Sequence, residues 1–160
     1  MKAKIPPSLG LVARVLVGAV LVYAGATKAA GPSEEFAIVI GTYDIMPRHM
    51  VLTAATFLPW VELLIGWSLI LGLRLRAAAV GAGALFAAFL TALALVQLRG
   101  IPLPNCGCLG DAIHMTPLQA CLFDTCLASL CWLSWKSAPA RLSLDSWVEG
   151  GYTGPTDGKR

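Results

Sequence analysis

Charge is what this chain has least of: 13% of its 160 residues are Asp, Glu, Lys or Arg, against 57% hydrophobic. With a mean hydropathy of +0.72, so little polar surface excludes a water-soluble domain of this size. Lipid must be the solvent for most of the chain. Histidine is nearly absent, and His49 and His114 stand far apart, so imidazole gives no support to a metal centre. The net charge of +3 is too small to mark a nucleic-acid surface. Internal repeats, low-complexity tracts and any second domain are also missing, which leaves one all-α membrane unit.

What is present are four apolar runs, Leu9–Thr27, Met50–Leu73, Ala77–Leu98 and Pro117–Trp135, each near the ~20 residues that cross a bilayer. The first lacks a small-residue cleavage site leading into a soluble domain, so it reads as a retained helix rather than a signal peptide. Basic residues fall on one side: Lys2 and Lys4, Arg74 and Arg76, Lys136 and Arg141. The positive-inside rule then predicts an integral four-helix bundle with both termini cytoplasmic. Residues 1–142 form the transmembrane domain and 143–160 a mobile cytoplasmic tail. Loops Lys28–His49 and Arg99–Thr116 face outwards, on the periplasmic side of a bacterial inner membrane, where disulfides persist. Phe36–Ile40 in the first loop predicts a short helix lying on the membrane. Arg14 is expected to snorkel to the headgroups, and Gly18, Ala19, Gly25 and Ala26 to let a neighbouring helix approach closely.

The five cysteines divide by position. Cys106 and Cys108 stand one residue apart in the outward loop, with Gly107 giving the turn its backbone freedom. A permanent staple there would close almost no loop. A soft-metal site for Cu(I) or Hg(II) suits paired thiolates. A strained, exposed and labile disulfide suits redox exchange. Cys121 begins the fourth helix, with Asp124 on the same face three residues on. Cys126 lies about 140° round that helix from Cys121, and with Cys131 reads as plain packing. Glu62 and Asp124 are the acids inside membrane segments, where an ionisable group faces the bundle interior and finds a partner. Each reads either as a structural clamp or as a proton donor and acceptor beside a redox centre; Lys28 and Arg99, ending their helices, are candidate partners for Asp124.

Taken in order, several motifs resemble the MauE family of methylamine-utilisation membrane proteins, within the wider DoxX-like group. They are Tyr23-Ala24-Gly25-Ala26-Thr27-Lys28, Pro32 with Phe36, Tyr43 before Pro47, Leu58-Pro59-Trp60-Val61-Glu62 with Gly66 and Gly72, Arg99-Gly100, and Cys106-Gly107-Cys108-Leu109-Gly110. The resemblance covers about Leu9 to Trp135. Leu109 replaces an expected phenylalanine, and Phe123 stands where a basic residue usually precedes the helix-four acid. The resemblance implies a bundle akin to the disulfide-forming membrane proteins, exchanging electrons with a periplasmic thioredoxin-like partner during maturation of an exported enzyme such as methylamine dehydrogenase. On this reading Cys106, Cys108 and Cys121 exchange disulfides, Asp124 and Glu62 move protons, and a membrane quinone is the candidate electron carrier. The competing classes are a soft-metal transport or delivery protein and a non-catalytic assembly subunit.

Overall fold

The computed structural model describes residues 7–101 and 115–136. Cys106, Cys108 and the 143–160 tail lie outside the described residues. Five α-helices and no strands make up the described chain: α1 (Pro7–Ala30), α2 (Ser33–Thr42), α3 (Arg48–Leu71), α4 (Leu75–Arg99) and α5 (Pro117–Lys136). All but α2 are long and apolar enough to cross a membrane. The remaining helix, α2, is the short one expected between the first two spans, and it extends further than Phe36–Ile40 in both directions.

Proline and glycine set the boundaries. Pro32 and Pro47 precede α2 and α3 in extended conformation, as the restricted φ of proline favours. Gly72 and Gly100 end α3 and α4 at φ 72° and 66°, the left-handed conformation of a helix C-terminus. Leu73 N–H donates to the Ser68 carbonyl, and Ile101 N–H to that of Val96, closing both ends in the same way. Only Leu73 and Arg74 separate Gly72 from α4, so α3 and α4 form a tight antiparallel hairpin.

On α1 the buried positions are Gly10, Ala13, Arg14, Val17, Gly18, Leu21, Ala24, Gly25 and Lys28, one stripe at helical spacing. It crosses α3 at glycine contacts. A Cβ added to Gly18 would sit 2.8 Å from the Gly66 carbonyl oxygen, one on Gly66 2.9 Å from that of Gly18, and one on Gly25 2.7 Å from that of Pro59. Ascending α1 thus meets descending α3, and the backbones touch because no side chain stands between them. Arg14 lies on the same stripe and is 3% exposed. Its side chain is packed inside the bundle instead of extending to the surface as a snorkelling arginine would.

The remaining core lies between α4, α5 and α1, around Leu21, Phe86, Ala82, Leu127 and Cys131. Outside it the polarity of a soluble protein is inverted. Phe57, Trp60, Leu64, Trp67, Leu118 and Trp132 are exposed, while Lys28, Glu62, Asp124 and Ser134 are buried. Apolar surface outward and charge inward is the arrangement hydrocarbon demands. At the far end, Trp132 and Trp135 rings pack 5.7 Å apart with Lys136 Nζ 5.0 Å above the Trp132 ring, the amphipathic grouping that settles at a headgroup boundary.

Candidate functional site

The α1–α3 crossing brings the two buried opposite charges together. With Gly25 against Pro59, the next residue on the α1 stripe, Lys28, reaches the next inward residue of α3, Glu62. Lys28 Nζ donates to Glu62 Oε1 at 2.7 Å and to Oε2 at 3.0 Å. Glu62 is 0% exposed and Lys28 6%, so this ion pair is held away from water. The Phe36 and Phe89 rings flank the ammonium, their centroids 5.4 and 5.6 Å from Nζ, within cation–π range.

Asp124 is the third member. It is 3% exposed, and its Oδ2 has no hydrogen-bond partner among the described residues. The carboxyl interacts electrostatically with both Lys28 and Glu62. The expected Lys28–Asp124 pairing is therefore replaced by Lys28–Glu62. Glu62 wins because the glycine crossing draws α3 closer to α1 than α5 can come. Arg99 does not reach Asp124 either: its Nη1 donates to the Asp44 carbonyl at 2.8 Å, tying the α2–α3 turn to the end of α4. Glu62 and Asp124 border a common cavity of about 20 Å³, room for a single water.

The thiols separate as their positions require. Cys121 is half-buried against the small cluster of Leu93, Ala120 and Tyr43, one turn from Asp124. Cys131 is buried in the main core and Cys126 is exposed. Tyr43, on the α2–α3 turn, was not singled out for chemistry in the sequence. Burial, with the Asp124 carboxylate adding to it, pushes its phenol up to about 12. The Glu62–Lys28 pairing was legible in principle, because Lys28 completes the stripe that contains Gly18 and Gly25.

The fold and this cluster define a class: a multi-pass helical membrane protein with a buried ammonium–carboxyl site between its first, second and last candidate spans. A family model described as methylamine utilisation protein MauE matches residues 6–137. Methylamine utilization protein MauE of Methylophilus methylotrophus is 36% identical over 111 residues, covering 69% of this chain. That match spans 57% of the relative's own length. The chain belongs to the MauE family. No solved structure matches it.

Proposed function

We propose that the protein is a thiol–disulfide redox protein of a bacterial inner membrane, with both termini cytoplasmic and the Cys106–Cys108 loop in the periplasm. Its partner is a periplasmic thioredoxin-like protein, and the exchange serves maturation of an exported enzyme. The name of the relative, methylamine utilization protein, points to a methylamine-oxidising enzyme as that substrate. A thiolate of the reduced partner attacks one sulfur of the Cys106–Cys108 disulfide and forms a mixed disulfide; the partner's second thiolate then displaces it. The partner leaves oxidised and the loop pair holds two thiols.

One observation supports this reading above the others. A lone ion pair would suffice to clamp α1 to α3, yet Asp124 is buried beside it on the helix that carries Cys121. The two carboxyls face a space for one water, an arrangement through which a proton can pass as thiols lose and regain theirs. Glu62 and Asp124 are the proton carriers, and Cys121 is the thiol that can accept a disulfide from the loop. Alkylation trapping in cells tests the reading: Cys106 and Cys108 should be found in both oxidised and reduced forms, the ratio shifting when periplasmic reductant is added. A pair locked in one state under every condition would overturn it.

A further inference from the structure

A second cavity lies apart from the carboxyls, on the other side of Lys28. It measures about 510 Å³, in the range of sites that hold a drug-sized molecule. α2 roofs it, α3 and α4 wall it, and Lys28 forms part of its inner surface. The exposed side chains of Phe57 and Val61 stand at its edge, so the cavity opens sideways towards lipid rather than only along the bundle axis.

Its chemistry is selective. Nearly the whole lining is hydrocarbon or aromatic, with the Lys28 ammonium and the Tyr43 side chain as the polar exceptions. An ammonium has three N–H donors, and two of those of Lys28 are spent on Glu62. The third remains for an acceptor on a ligand. Because the Glu62 carboxylate already balances the charge, that acceptor should be neutral rather than anionic. The Phe36 and Phe89 rings beside Nζ offer faces for a flat ring. Tyr43 and Leu93 line the cavity and also pack in the cluster that holds Cys121, so the space adjoins a thiol.

We propose that this cavity binds the ring of a membrane quinone, one carbonyl oxygen accepting a hydrogen bond from Lys28 and the isoprenoid tail leaving between Phe57 and Val61. The assignment rests on the redox reading and supplies its missing oxidant. A dithiol and a quinone become a disulfide and a hydroquinone: the sulfur–sulfur bond forms, two electrons pass to the ring, and its two oxygens take up the two thiol protons. Cys121 is the thiol placed to hand those electrons over from the loop pair.

The test is photolabelling of the purified full-length protein in detergent with a short-chain azidoquinone, followed by peptide mass spectrometry. Label should concentrate on α2 and the facing turns of α3 and α4, and excess decylubiquinone should suppress it at least tenfold. Ala54→Phe and Ala92→Phe, filling opposite walls, should each lose the label, whereas Leu98→Phe, on an exposed position outside the cavity, should keep it. Label scattered along the helices without competition overturns the proposal. So does suppression by phosphatidylglycerol as complete as that by decylubiquinone, which would assign the cavity to an acyl chain. Should the cavity variants misfold, the competition in the native protein still decides. A Cys106→Ser/Cys108→Ser variant should label like the native protein, so a failure of the thiol cycle in cells and a failure of the quinone site give different results.

Discussion

At the residue scale, the Lys28–Glu62 pair is the group most sensitive to change. Removing one partner strands a charge in the core, which costs about 3–5 kcal/mol, whereas replacing both with apolar residues of similar volume is often neutral. Glu62→Ala should therefore leave little folded protein after extraction, and Glu62→Lys less still, since two ammonium groups would then face each other. Lys28→Met/Glu62→Leu should regain native-like thermal stability while losing the proposed Cys106/Cys108 exchange. A double variant with full function would reduce the pair to a clamp, and one that stays unfolded would show that the cost lies elsewhere. Tyr43 gives a pH prediction. Below about pH 10, the ordinary phenol value, folded and unfolded states both keep its proton and its contribution is complete. Between there and about 12 only the folded state holds the proton, so stability falls as pH rises. Tyr43→Phe should flatten that slope, measured by thermal unfolding in detergent from pH 9 to 12 against the native protein.

At the scale of elements, the α1–α3 crossing is set by absent side chains. A methyl at Gly18, Gly25 or Gly66 would meet a backbone oxygen within 2.9 Å, and a carbonyl in a helix cannot rotate away as a side chain can. Gly18→Ala and Gly66→Ala should each destabilise by about 1–3 kcal/mol, the usual range for overpacking. They should also loosen the ion pair by forcing the helices apart. Gly83 on α4 has nothing within 4 Å of an added Cβ, so Gly83→Ala should leave the melting temperature unchanged. Equal losses at Gly66 and Gly83 would mean that close approach is not what the glycines provide. The short α2 carries no buried residue. Its place depends on half-buried Phe36, Val39 and Ile40 facing α3 and on the Arg99 tie to Asp44.

At the scale of the whole molecule, the basic residues on one side predict its orientation. A membrane-impermeant maleimide applied to intact spheroplasts should label reduced Cys106 or Cys108, but not a cysteine appended to the C-terminus. The reverse pattern would put the loop in the reducing compartment and remove the setting in which a labile disulfide is useful. The four long helices span roughly 30–37 Å at 1.5 Å per residue, which matches the hydrocarbon thickness with modest tilt.

The sequence by itself determined that the chain is helical and lies in lipid, because hydropathy over ~20 residues depends only on what each side chain costs to hydrate. It located the spans to within a few residues of Pro47, Gly72 and Gly100, whose backbone chemistry is local. It also picked out Glu62 and Asp124 as buried acids, since their expense in hydrocarbon is local too. Which cation each acid would meet was decided by tertiary structure alone. Lys28 and Glu62 are 34 positions apart, and their contact follows from how closely two helices approach at Gly18, Gly25 and Gly66, a property of the pair of surfaces. The burial of Arg14 and the cavity under α2 arose in the same way. Whether a long side chain reaches water, and whether four apolar walls leave a space between them, depends on helix rotation and crossing angle, and neither quantity belongs to a single segment.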